Sequence, residues 1–376
     1  MTKFLALLAL TAALAVPAAA AASTNGRLND PSHGAVYAIT NATTGNGVAY
    51  YARGANGALT PVATYATGGA GTGAGLGSQS AVALAGHRLF AVNAGSDSIS
   101  EFFVGNDGLE LVETFGSNGD LPISVSVHGN LLYVLNAGSS SITGFRLDGR
   151  GRVAPLAGST QPLLGSGPAQ VAFSSDGTAL VVTEKTSSSI DTFAVRRDGR
   201  AEAGISSPSA GGTPFGFSFD SRGRAFVSEA AGSASSYAVD ASGAHVITGA
   251  APTHQGAPCW LVVTPDGRYA YTANAAGGSV SGFSIAADGS IALLDSNGVS
   301  AAIGADSHPL DGDRERRRPV PLRARRRPPH DRRLPHCRRR LAHPARRGRH
   351  PAGRCRRPRF VVGRHRLRAV PGTIRR

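Results

Sequence analysis

The sequence predicts an all-β fold, a β-propeller of four-stranded blades, from three observations. First, one strand pattern recurs five times, as Leu89-Phe90-Ala91-Val92-Asn93, Leu132-Tyr133-Val134-Leu135-Asn136, Leu180-Val181-Val182-Thr183-Glu184, Ala225-Phe226-Val227-Ser228-Glu229 and Ala270-Tyr271-Thr272-Ala273-Asn274. The copies stand 43, 48, 45 and 45 residues apart, the period of a blade of about 40 to 50 residues. Second, each copy leads through a turn rich in Ser and Gly into another strand, as in Ser141-Ile142-Thr143-Gly144-Phe145, with the period-2 alternation of half-buried strands. Third, Gly, Ser and Thr are too frequent for helices and no 3.6-residue period persists.

The other two strands of each blade are also legible. A Pro opens an apolar strand ahead of the repeat, as in Pro168-Ala169-Gln170-Val171-Ala172-Phe173 and Pro258-Cys259-Trp260-Leu261-Val262-Val263, and Asp176-Gly177 or Asp266-Gly267 supplies the hairpin. Glycine adopts the positive φ of such a turn without a Cβ clash. Asp198-Gly199 and Asp288-Gly289 lead on to the outermost strand. Counting from Ala35, six blades are readable over residues 34–310, and His308-Pro309-Leu310 opens a seventh where the pattern stops.

The two ends differ from the body. Residues 1–22 combine Lys3, an apolar run from Phe4 to Val16 and the small residues Ala18 to Ala22, the pattern of a secretory signal peptide, so a periplasmic or extracellular location is expected. No later segment is long and apolar enough to suggest a membrane span. Residues 311–376 hold 25 of the 39 Lys and Arg and only 4 of the 24 Asp and Glu, so the rest of the chain carries 14 basic against 20 acidic side chains. The overall charge of +15 therefore belongs to the tail and gives no reason to expect a specific nucleic-acid partner for the body. Read literally, the tail is a disordered basic arm. The preferred reading is a frameshift. Back-translation of Asp311 to Arg325, read one base later, permits Met-Ala-Ile-Ala-Ser-Gly-Asp-Gly-Arg-Tyr-Leu-Tyr-Val-Leu, the blade pattern of Asp266 to Tyr271. The same shift from His330 permits a copy of Val280 to Ser290, again 51 residues beyond its counterpart. The tail then stands where a seventh blade belongs. With one cysteine in the body, Cys259, and two in the tail, no disulfide framework is implied.

Candidate chemistry falls at two repeat positions. Asn93, Asn136, Glu184, Glu229 and Asn274 end the repeated strand, where symmetry would gather them in a ring, or where each could cap its turn. The carboxylates Glu184 and Glu229 are capping variants or a pair with one raised pKa for general acid/base work. Gln79, Ser124, Gln170, Phe215, Trp260 and His308 open the innermost strands; the polar members could bind a small ligand, while the two aromatics form a stacking wall or pack between blades. No spacing specifies a metal, no cofactor motif is present, and Gly68 to Gly77 lacks the Lys-Ser/Thr of a phosphate loop, reading instead as a flexible interblade connection.

With these motifs in view, the body resembles the bacterial seven-bladed propeller lactonase family, which includes 6-phosphogluconolactonases and carboxymuconate-lactonising enzymes, and it shares the Tyr-Val-x-Asn style of surface repeat proteins. The resemblance implies a seven-bladed propeller with chemistry at one mouth of a central channel and a family glutamate matched by Glu229; a monomer is expected. Gln170 stands where the family has a His. Two functions are expected as alternatives: a secreted lactonase-like hydrolase acting on a small lactone or sugar-like ligand, with Glu229 or Glu184 activating water, and a non-catalytic propeller that binds a carbohydrate, a metabolite or an envelope protein.

Overall fold

The computed structural model describes residues 34–54, 56–149 and 152–304. Over these residues the chain forms six antiparallel sheets in sequence order and no helix, the arrangement of a β-propeller. Blade four is representative: Pro168–Phe173 lies innermost, Ala179–Glu184 and Ser189–Ala194 follow, and Ile205–Pro208 is outermost. Blade five repeats it with Pro214–Phe219, Ala225–Glu229, Ser233–Asp240 and Gly243–Pro252. The Asp-Gly turns form as expected. Gly177 and Gly267 take φ of 74° and 67°, and Asp176 accepts from Thr178 N at 3.1 Å.

The first sheet departs from the four-stranded rule. Its strands are Ala35–Ile39, Gly47–Arg53 and Leu59–Ala66, and the first of them corresponds to the second strand of the other blades. Its innermost place is therefore not filled by the described residues. The signal segment 1–22, His308 and the tail 311–376 with its frameshift reading lie outside the described residues.

The core lies between blades. Successive side chains point to opposite sides of a strand, so the near-continuous burial along the repeated strands gives each sheet two buried faces, and neighbouring sheets pack face to face. Val181 and Ile190 of blade four meet Phe217, Val227 and Tyr237 of blade five, while Tyr133 and Leu135 of blade three meet Val171, Leu180 and Phe193. Each such side chain, sealed from water, contributes roughly 1.5–3 kcal/mol.

Two details position the candidate residues. Every innermost strand of blades three to six begins at a proline and carries a register shift just after it, at Pro122/Ser124, Pro168/Gln170, Pro214/Phe217 and Pro258/Trp260. Proline donates nothing to the ladder, so it sits at the strand start, and the bulge re-aims the residues that follow. The Gly-rich connection after blade one is tied down rather than loose. Gly71 N donates to Ala42 O and Gly73 N to Asn41 O, both at 2.8 Å, and Gly95 N donates to Ala70 O at 2.9 Å.

Candidate functional site

The residues that end the repeated strand are all sealed from solvent. Rather than capping the backbone of their own turns, they bond to the third strand of the same blade, to the connection arriving from the preceding blade and, for Asn93, to Asn46 before the second strand of the first sheet. Asn93 Nδ2 donates to Ser100 Oγ at 2.7 Å, and its Oδ1 accepts from Asn46 at 3.0 Å. Asn274 Nδ2 donates to Ser279 and Ser281 at 3.0 and 2.9 Å. Asn136 Nδ2 reaches Ser117 O at 3.4 Å. A glycine of the incoming connection covers four of the five: a Cβ on Gly69, Gly119, Gly165 or Gly211 would come within 2.4, 2.5, 1.9 or 2.0 Å of Asn93, Asn136, Glu184 or Glu229.

The two glutamates share this position but not its solvation. Glu229 is surrounded by donors: Ser233 Oγ at 2.5 Å, Ser235 Oγ at 2.6 Å, Gly211 N at 2.8 Å, Ser209 Oγ at 3.3 Å and Tyr237 OH at 3.4 Å. Glu184 has Ser189 Oγ at 3.2 Å, and where blade five places Ser235, blade four places a second carboxylate, Asp191. Burial, and then the Asp191 charge, push the Glu184 carboxyl up from 4.5 to about 7, against the pull of hydrogen bonds from Ser189, Gly165 and Ser187. Burial also raises Asp191, against hydrogen bonds from Leu164 N and Ser206. Glu184 Oε1 and Asp191 Oδ1 have no hydrogen-bond partner among the described residues.

The polar residues that open the innermost strands zip blade to blade. Ser124 Oγ accepts from Val171 N at 3.2 Å. Gln170 accepts from Phe217 N at 2.7 Å and donates to Phe217 O at 3.0 Å. Blade five has Gly216 at this position. Gln79, arriving from the start of blade two, fills the gap by accepting from Leu261 N at 3.3 Å and donating to Leu261 O at 3.4 Å. A Cβ on Gly216 would fall 2.0 Å from Gln79 Oε1 and 2.6 Å from the Cys259 carbonyl, so only glycine admits this reach.

Beside this zipper the structure gathers Phe215, Cys259, Trp260 and a residue that the sequence patterns did not single out, Lys185. The Phe215 and Trp260 rings lie 5.9 Å apart, tilted by 43°. Lys185 Nζ stands 5.0 Å from the centre of the Phe215 ring and donates to the Gly77 carbonyl. Burial draws the lysine below its usual 10.5, and the Cys259 thiol opposes that shift. Burial pushes the thiol itself up, against the pull of Lys185. The available signal was composition: Lys3 and Lys185 are the only lysines of the chain. His254 is exposed.

At the other ends of these strands, a cleft of about 270 Å³ between blades five and six is lined by Asp220, Arg222, Arg224, Asp266 and Arg268. Its charges are largely engaged within the fold: Arg224 pairs with Asp220 at 2.6 Å, and Arg222 donates to the Ala287 carbonyl at 2.6 Å. No group of three metal-ligating side chains occurs among the described residues.

A family model described as a seven-bladed β-propeller lactonase matches residues 30–162 and 225–315, together more than half of the chain. No curated protein matches. Among solved structures, a candidate 6-phosphogluconolactonase of Bacteroides uniformis is 17% identical with a TM-score of 0.56, covering 72% of this chain and 83% of its own. One from Bacteroides fragilis is also 17% identical, with a TM-score of 0.58 and coverage of 72% and 82%. The periplasmic gluconolactonase of Pseudomonas aeruginosa is 20% identical, with a TM-score of 0.55 and coverage of 74% and 85%. At these identities the likeness is one of fold.

Proposed function

The chain belongs to the seven-bladed β-propeller lactonase family, and from that membership we propose that it is a monomeric, exported lactonase-like hydrolase acting on a small sugar-like lactone at the mouth of a central channel. The observation that carries the reading is the cluster in which the Lys185 ammonium group, just after the second strand of blade four, lies over the Phe215 ring at the inner strand start of blade five, and Phe215 in turn meets the Trp260 ring of blade six. A sugar lactone has an apolar C–H face that suits an aromatic wall and a carbonyl that suits a cation. The names of the two Bacteroides proteins and of the Pseudomonas protein support a sugar lactone. The last of these, with the signal-like segment 1–22, supports a periplasmic or extracellular location.

In the proposed reaction, water adds to the lactone carbonyl, the ring C–O bond breaks, and the alkoxide takes the proton released by water. We assign the general base to Glu184, whose ionisation near 7 suits that work and whose Oε1 is unused. Glu229, with five donors on its carboxylate, is assigned to hold the incoming connection. Ser124, Gln170, Asn93, Asn136 and Asn274 frame the site through the blade-to-blade and strand-to-strand bonds described above, and His308 remains a candidate at the next inner strand.

Full burial of Glu184 favours a second reading, a binding propeller without catalysis. A panel of γ- and δ-lactones, assayed by proton release in a pH-stat, separates the two. Hydrolysis that falls a hundredfold or more in Glu184→Gln and survives in Glu229→Gln supports the assignment. Absence of turnover with any lactone leaves the binding reading, and survival of turnover in Glu184→Gln removes Glu184 from the chemistry.

A further inference from the structure

We propose that Lys185 is an oxyanion and carboxylate site: its ammonium group takes the oxygen that becomes negative as a lactone ring is opened and that remains charged in the hydroxy-acid product. This rests on the lactonase reading for its catalytic part and deepens it, adding a residue outside the two carboxylates considered so far.

The setting of Lys185 is unusual in this chain. Lys185 is the only lysine of the body, whose other Lys/Arg cations are arginines, and several of these pair with a carboxylate: Arg88 with Glu101, Arg152 with Asp148, Arg200 with Asp198, Arg224 with Asp220. Lys185 forms no ion pair with the described residues. Its neighbours are a main-chain carbonyl, an aromatic ring and a thiol. A half-buried ammonium group with only neutral partners lacks the compensating charge that burial normally demands. An anion arriving at Nζ supplies it.

A lactone is neutral in the ground state. Negative charge appears on its carbonyl oxygen as water adds, and stays on the carboxylate after the ring opens. A cation that gains its partner only as charge develops binds the transition state more tightly than the substrate, which is the requirement for catalysis. The Gly77 carbonyl accepts one of the three ammonium donors of Lys185, and another is the one that would meet that oxygen. Trp260, partly exposed and 5.9 Å from the buried Phe215 ring, is the face that would receive the ring.

Trp260 is the only tryptophan of the chain, so its fluorescence reads occupancy in the full-length protein without any assay of activity. Titration with gluconate and with the neutral polyol glucitol, in wild type and in Lys185→Met, is the first arm. The expected result is a gluconate affinity at least tenfold weaker in the variant, with glucitol unchanged. The second arm is δ-gluconolactone hydrolysis, where Lys185→Met should lower kcat a hundredfold or more with KM within threefold, and Lys185→Arg should restore part of the loss. The third arm needs no substitution: reductive ¹³C-methylation of Lys185 in the native protein, with gluconate expected to move its NMR titration to higher pH. Gluconate affinity unchanged in Lys185→Met, equal losses for gluconate and glucitol, or a methyl-lysine titration unmoved by gluconate would each overturn the proposal. A protein that binds gluconate through Lys185 yet opens no lactone keeps the anion site and loses the lactonase reading.

Discussion

Blades four and five are built from the same strands in the same order, yet they solve two problems in opposite ways. At the end of the repeated strand, blade five surrounds Glu229 with five donors, whereas blade four sets Glu184 against a second carboxylate and leaves an oxygen of each without a partner among the described residues. At the inner strand, blade four supplies its own acceptor, Gln170, to the next blade, whereas blade five has Gly216 and borrows Gln79 from the other end of the sheet order. A repeat thus fixes where a side chain stands, while its neighbours decide what state it can hold. Blade five is spent on closure; blade four keeps an unsatisfied group.

The largest effect expected from breaking this contrast is at Glu229. Glu229→Ala removes the common acceptor of Gly211 N and the hydroxyls of Ser209, Ser233 and Ser235. Each buried donor left without a partner costs about 1–3 kcal/mol, so a total loss of at least about 3 kcal/mol is expected in urea or thermal unfolding. Glu184→Ala, which strands fewer donors and relieves Asp191 of a like charge, should cost markedly less. Equal losses at the two positions would remove the distinction between them.

Next in size is the inner strand. Gly216→Ala forces Gln79 away and also presses on the Cys259 carbonyl, which is main chain and yields less easily. Overpacking of this kind costs about 1–3 kcal/mol, and the displaced Gln79 exposes Leu261 N–H as well. Gln79→Ala alone should cost about 1 kcal/mol. A double variant no worse than Gly216→Ala by itself would show that the glycine exists to admit that glutamine.

Much of this was legible in the sequence. The repeat, its turns and the proline-started inner strands fixed the fold class and placed Glu184, Glu229, Ser124, Gln170 and Trp260 at their positions along the strands. Facing was another matter, because a strand-end position can look toward the axis or into the gap between sheets, and the glycines covering Asn93, Asn136, Glu184 and Glu229 lie in connections with no repeat of their own. The sequence pattern sets Phe215 level with Gln170, whereas the bulge in each strand makes Gly216 the counterpart. The reach of Gln79 to Leu261, residues 182 apart, has no local signature at all. Lys185 follows the repeat in a turn of ordinary composition; its rarity as one of two lysines in the chain is the one sequence signal, and its three-dimensional neighbours give that rarity a meaning.

The starved carboxyl of blade four should also be visible as a pH dependence. Glu184 holds its proton more tightly when folded than when unfolded, since its pKa rises from 4.5 to about 7. Its contribution to stability is therefore complete below about 4.5 and is lost as the pH climbs through about 7. Asp191 is shifted in the same direction. The surface aspartates Asp176, Asp198, Asp240, Asp266 and Asp288 are lowered from 3.8 and titrate below this window. The melting temperature of wild type should thus be higher at pH 5 than at pH 8, and Glu184→Gln should flatten that difference. A difference unchanged in the variant would place the titrating group elsewhere.

The smallest expected change, and the sharpest test of the comparison, is Asp191→Ser, which gives blade four the residue that blade five has at Ser235. The hydroxyl can donate to Glu184 as Ser235 does to Glu229, and the like charge that helps to raise Glu184 is gone. Leu164 N loses a charged acceptor, held at 2.7 Å in the wild type, so the net change in stability should stay within about 1 kcal/mol. The ionisation of Glu184, followed by ¹³C NMR of the labelled side chain, should fall from about 7 while remaining above that of an exposed glutamate, because burial is the larger cause and the substitution leaves burial intact. A return to the ordinary carboxylate range would make Asp191 the dominant influence, and no movement would leave burial as the whole cause; the intermediate value is what two neighbours acting together require.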